Sequence, residues 1–291
     1  MRSPFTLVST LAPAACLVAA ALASAGCKDQ GKESAAHAKQ DVALLGDLVD
    51  KDVGEIERGL PEGAKRLAPL VAGGADPKQD IQGVRKALQR VRRDVMDLNV
   101  AKSTFFALAD TSGVGIRNDL EEDTMAGQNL FAIFPGLTKA KDGYGTTTGV
   151  FPNAATAKNG PDEDWIAGAP VKRDDGSTGA IFVTGWSYRY FARHLQEATK
   201  TRLTDEAKAT GNEGKIPVFY VAMFDKTGVF TAPLTPDIDE KALAQQDLVG
   251  KTAGGPASGT LTITDRTFGW AAQRTPKIAT DTGVVVLRSE L

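Results

Sequence analysis

Along this chain the apolar positions change rhythm twice. The first stretch, Phe5 to Leu22, is apolar throughout, diluted only by Thr6, Ser9, Thr10 and Pro13. The second has a helical period. Val42, Leu45, Val49, Val53, Ile56 and Leu60 recur at steps of three and four, which places them on one helical face. Pro61 and Gly63 are expected to interrupt that helix. Gly73-Gly74-Ala75-Asp76-Pro77 is a second break, with Asp76 as a cap and Pro77 as a first-turn residue. Ile81, Val84, Leu88, Val91, Val95 and Leu98 then form a second stripe. That stripe can pack on a sheet, on the first helix or on a second copy of the chain.

From Ser103 onward the pattern is one of strands and turns. Phe105 to Ala109 reads as a strand, Asp110 to Gly113 as a hairpin turn, and Val114 to Arg117 as the return. Glu121 to Leu130 reads as a short helix or loop. Tyr144 to Val150, rich in Thr and Gly, reads as a bent or edge strand. Pro152 to Asp164 reads as a loop. Trp165–Val171 and Gly179–Trp186 pair around Asp174-Asp175-Gly176, and Phe191 to Lys208 is helical in composition.

The strand pattern then recurs. Val218–Phe224 leads into Asp225-Lys226-Thr227-Gly228-Val229, as Phe105–Ala109 leads into Asp110, Gly113 and Val114. Asp in such a turn caps backbone N–H groups and Gly can take positive φ. Asp123–Gly127 corresponds to Asp247–Gly250. Ala169-Pro170-Val171 and Gly179–Val183 correspond to Thr275-Pro276-Lys277 and Gly283–Leu287. The order is hairpin, short helix, three strands, twice, and such self-similarity outweighs any local motif.

The helix feeding into Phe105–Gly113, and Gly168–Gly176 followed by Gly179–Val183, resemble the Cache family of extracytoplasmic sensor domains. Asp225–Gly228 and Pro276–Leu287 supply the second copy. The resemblance covers the chain from about Ile81 onward, and the sheet of the GAF family is an alternative. It implies an α+β fold with N-terminal helices followed by two PAS/Cache-like antiparallel sheets. The expected division is a helical region over 41–102, a first domain over 103–208 and a second, smaller one over 209–291. Cache domains usually sit between two membrane spans in chemoreceptors or kinases. This chain stops at Leu291, so the expectation is a sensing half without its own output domain.

The N-terminal stretch adds an address. Arg2 is the one charge before Lys28, and small residues Ala23 to Gly26 precede Cys27. Charged, apolar and small-residue regions in that order make a secretory signal over 1–26. A membrane-spanning helix needs about 20 strongly apolar residues, and this alanine-rich stretch is a poor candidate. Ser24-Ala25-Gly26-Cys27 resembles the lipobox of bacterial lipoproteins, although Ser24 stands where that family usually has Leu. The resemblance implies lipidation (palmitate) of Cys27 and an envelope location, with the outer membrane favoured. The rival reading is cleavage after Ala25, which leaves a soluble chain starting at Gly26. Residues 27–40 are read as the lipidated cysteine and a flexible tether, with His37 solvated.

Composition narrows the chemistry. The chain is 42% hydrophobic and 24% charged, which is globular, and its net charge of -2 gives no reason to expect nucleic acid. Arg85, Lys86, Arg90, Arg92 and Arg93 read as a solvated helix face. The other cysteine, Cys16, leaves with the signal, so no internal disulfide holds the fold. With two histidines and no G-x-S-x-G, H-E-x-x-H or P-loop motif, no catalytic set is visible and no cofactor is expected. His194 is read as a surface or helix-packing residue. The carboxylates Asp119, Glu121, Glu122 and Asp123, and Asp162, Glu163 and Asp164, lack EF-hand spacing and read as acidic loops.

A binding site is the better expectation. PAS-like sheets hold small ligands with aromatic walls and a few polar anchors. Tyr144, Trp165, Trp186 and Tyr188 are the candidate walls and Arg117 the candidate anchor. The resulting expectation is a membrane-tethered sensing or binding module, not an enzyme. Its partners would be the membrane through the lipid, a small molecule, and an envelope receptor or second copy through the N-terminal helices. The alternative is an adaptor that binds a protein through its helical face.

Overall fold

A computed structural model describes residues 14–99, 105–151, 162–212 and 216–290, with side chains described from Gln30 onward. Residues 1–13 of the signal, the Cys27 side chain and residues 152–161 of the expected loop lie outside these limits. Helix α1 (Ala14–Leu67) is 54 residues long. Helix α2 is Ile81–Asp94. The first sheet contains β1 (Phe105–Ala109), β2 (Gly115–Asn118), β3 (Gly145–Gly149), β4 (Asp164–Lys172) and β5 (Thr178–Ser187), with the short helix α3 (Leu130–Ile133) between β2 and β3. Helix α4 (Tyr188–Ala209) leads to the second sheet: β6 (Val218–Phe224), β7 (Val229–Thr231), β8 (Ala257–Ile263), β9 (Arg266–Arg274) and β10 (Gly283–Ser289). Helices α5 (Asp237–Ala244) and α6 (Leu248–Lys251) lie between β7 and β8.

The repeat holds in topology. The first sheet has the order β2-β1-β5-β4-β3 and the second β7-β6-β10-β9-β8, all pairs antiparallel. Each copy therefore places its last strand between the first and the fourth, and both sheets are five-stranded. The two hairpins use Asp alike. Asp110 accepts the N–H groups of Ser112 and Val114, and Asp225 those of Thr227 and Gly228. Only Gly113 takes a positive φ, at 87°. The proline correspondence does not hold. Pro170 lies inside β4, whereas Pro276 lies in the turn after β9.

Helix α1 crosses both sheets, its earlier half on β8, β9 and β10 and its later half on β4 and β5. Close approach depends on glycine. A Cβ on Gly269 would lie 2.1 Å from the Ala35 backbone nitrogen, and one on Gly63 would lie 2.7 Å from the Phe182 ring. Gly63 thus serves packing, and the helix continues through Pro61 to Leu67 instead of breaking there. Its buried stripe extends past Leu60 to Ala64, Leu67 and Val71.

The tether is a second correction. From Gln30 to Gln40 the chain belongs to α1, with Ser34 and Ala38 buried against the second sheet. His37 is held there, its Nδ1 2.8 Å from Glu290 Oε1. The alternation of polar and small residues that reads as a linker is one narrow contact face, too sparse in large apolar residues to register as a stripe. The stripe on α2 is also committed within the chain. Val84, Leu88, Val91, Val95 and Leu98 are buried, so it is no free surface for a protein partner or a second copy. Asp76 caps a short 3₁₀ turn, and Asp80 caps α2 by accepting the Gly83 N–H at 2.8 Å.

Candidate functional site

The first sheet buries both faces. Phe106, Leu108, Trp165, Ala167, Ala169, Val171, Phe182 and Trp186 face α1 and α2. Phe105, Ala107, Ala109, Ile166, Ile181 and Val183 face the other way, under Leu130, Phe134, Leu137 and Ala140. A ligand site on such a sheet belongs on this second, outer face, which short elements cover.

The aromatic candidates lie on the opposite side. Trp165 and Trp186 lie with centroids 5.0 Å apart and planes tilted by 30°, almost wholly buried, in the layer beneath α1. The Trp165 Nε1 donates to Thr146 Oγ1 at 2.5 Å. Tyr144 packs against the same layer, and burial pushes its phenol up to about 12. Tyr188 opens α4, and its hydroxyl lies 2.9 Å from Thr282 Oγ1 in the second sheet. These four side chains are core, not pocket walls. Arg117 does not join them. It pairs with Asp123 at 3.0 Å and donates to the Leu120 carbonyl at 2.9 Å, closing its own loop.

Arginines also settle the first acidic group. Asp119 takes Arg92 and the Phe106 N–H, and Glu121 takes Arg85. Several cations of the basic helix are therefore ion-paired. Among the described residues no group of three or more His, Cys, Asp or Glu side chains could hold a metal ion. His194 has a packing role, with Nε2 3.0 Å from Asp52 Oδ2.

The second acidic group is different, and its importance was missed in the sequence. Asp162, Glu163 and Asp164 are all buried, at 8%, 6% and 5% exposure. Asp162 accepts the Ser187 hydroxyl and, at 3.4 Å, the Arg189 N–H. Asp164 opens β4 opposite Ser187 and next to Gly149, in register with the outer face that carries Ile166. Its carboxylate accepts no hydrogen bond among the described residues. Burial, then the charges of Asp162 and Glu163, push its pKa up to about 8. Phe105, Phe134 and Phe151 meet edge to face on the same face, with centroids 5.5 and 4.8 Å apart. A buried carboxyl without a partner beside phenyl rings suits a ligand that brings a positive charge or a hydrogen bond. The signal available in the sequence was a run of three acids at the start of an apolar strand, where surface charge is out of place.

No protein-family model matches the chain, and no curated protein matches it by sequence. Solved structures match by fold. One is the extracellular domain of a protein described as a histidine kinase, at 9% identity, covering 90% of this chain and 93% of that chain with a TM-score of 0.58. Another is a domain of a sensory box/GGDEF family protein from Vibrio parahaemolyticus, at 8% identity, 90% and 97% coverage and a TM-score of 0.54. A third is the ligand-binding domain of the Campylobacter jejuni chemoreceptor Tlp3 in complex with 4-methylisoleucine, at 10% identity, 90% and 92% coverage and a TM-score of 0.52. At these identities the likeness fixes the fold, which is that of Cache/PAS-like sensor domains.

Proposed function

We propose that this chain is an extracytoplasmic sensing module that binds a small molecule carrying a positive charge, and that it binds without catalysis. One observation carries the reading: Asp164, buried and accepting no hydrogen bond among the described residues, stands on the outer face of the first sheet. A cationic group placed against it would supply the missing partner and draw the proton off the carboxyl. The fold neighbours support it, since one of them is a chemoreceptor domain in complex with an amino-acid analogue. Lipid on Cys27 would hold the module at the membrane, with the outer membrane favoured. No helix among the described residues is long and apolar enough to cross a membrane.

Thermal unfolding of the protein against a library of small amines tests the reading. A true ligand at about 100 times its Kd stabilises by about 2.7 kcal/mol. Asp164→Asn should abolish that gain while leaving the protein folded. A broad amine library that shifts nothing would refute amine sensing. Mass spectrometry of the N-terminus tests the anchor separately, and an unmodified chain starting at Gly26 would refute lipidation.

A further inference from the structure

We propose that Glu163 makes the seam between the two sheets proton-responsive: neutral, it lets the halves close, and ionised, it repels the carboxylates of the second sheet and loosens them. This goes beyond ligand sensing and does not depend on it. The seam is built from named contacts. Within the first half the Tyr188 N–H donates to the Glu163 carbonyl at 2.8 Å, and across the seam the Tyr188 hydroxyl lies 2.9 Å from Thr282 Oγ1. Gly283 pairs with Phe224, which brings Asp281 and Thr282 beside Asp225. Tyr188 also meets Phe230 edge to face at 5.4 Å. Tyr188, hydrogen-bonded to the Glu163 carbonyl at the start of α4, thus ties the first half to the β6–β7 hairpin and to the turn before β10.

Among the described residues the charges at that seam do not balance. Glu163 brings Asp162 and Asp164 with it from its own segment. Asp225 and Lys226 face it from the hairpin, and Asp281 from the turn. From α4 come Tyr188 and Arg189, and Arg189 is already committed to Glu240 at 2.6 and 3.0 Å. Lys226, mostly exposed and 3.7 Å from Asp281, offsets part of the excess, but less than burial and Asp225 add. The Glu163 side chain accepts no hydrogen bond among the described residues. Burial, then Asp225, push its pKa up to about 7, against a partial lowering by Lys226. A carboxyl whose pKa is raised on folding binds its proton more tightly in the closed state. The stability it supports is present at low pH and is lost as pH rises through about 7.

Amide hydrogen exchange at pH 6 and pH 8.5, corrected for the intrinsic rate, reads this directly on the full chain. Protection at the Tyr188 and Asp225 amides should fall by about tenfold across that range, while Ala271, central in β9, keeps its protection. Glu163→Gln should hold the seam protected at both pH values. Asp281→Asn, which removes one opposing charge, should shrink the fall, and it carries the test if Glu163→Gln does not fold. Protection that ignores pH in the unsubstituted protein overturns the proposal. So does a full fall that persists in Glu163→Gln, or in Asp281→Asn.

Discussion

Against the second sheet, the buried arginines have partners, one of them brought by α4 of the first half. Arg189 reaches Glu240 with both terminal nitrogens, and Thr231 completes the group. Arg288 of β10 reaches Asp41 of α1 at 2.7 Å and Glu290 at 2.7 Å. In the first half, at the start of β4, the Asp164 and Glu163 carboxylates are as deeply buried and accept no hydrogen bond among the described residues. Asp239 on α5 is a comparable group in the second half, its pKa raised by burial. The strand order is the same in both copies, so topology does not demand the difference. Paired buried charges fix a geometry. Unpaired ones cost stability and are kept where something else, a ligand or a proton, can satisfy them.

Breaking a paired charge should have the largest effect. Glu240→Ala leaves the Arg189 guanidinium buried without its carboxylate and should destabilise by about 3 kcal/mol or more, read from chemical denaturation. Gly269→Ala sharpens the contrast in packing. Its Cβ meets the α1 backbone, which cannot rotate away, so a loss of about 3 kcal/mol is expected. Gly63→Ala meets the Phe182 ring and the Val91 and Leu98 side chains, which can adjust, and about 1–2 kcal/mol is expected.

Replacing an unpaired charge should act in the opposite direction. Burial raises the Asp164 carboxyl to about 8, so the stability it allows is full at acid pH and falls as pH rises through that value. Asp164→Asn should therefore lose less stability than the unsubstituted protein as pH rises from about 4 to about 9, and be the more stable of the two at about pH 9. A variant less stable at every pH would show that Asp164 has a structural partner. The smallest effect belongs to the exposed pair Arg193–Glu197 on α4, where Arg193→Ala should cost less than about 0.5 kcal/mol.

Much of this architecture is legible in the chain. The period of the two helical stripes, the paired Asp–Gly turns and the repeated order of elements give both sheets and their sequence. The face of each residue was not legible. Along β4, Trp165, Ala167 and Ala169 alternate with Ile166 and Gly168, and both sets are buried, so period two carries no sign of which side meets α1. For that reason Trp165 and Trp186 read as pocket walls although they are core. The helical seat of residues 30–40 was hidden because it depends on small residues meeting Gly269, a contact far away in sequence. Asp164 was in view, but a carboxylate gains its meaning from burial, which three consecutive acids at a strand start only hint at.

The proposed sensing role requires Asp164 to be buried, protonated near neutral pH and open to a ligand. Carboxyl ¹³C NMR of the Asp164 side chain across pH 3 to 10 tests this most directly. A midpoint near 8, moving down when a stabilising amine is added, is the expected result. A midpoint near 4, unmoved by any amine, would contradict it.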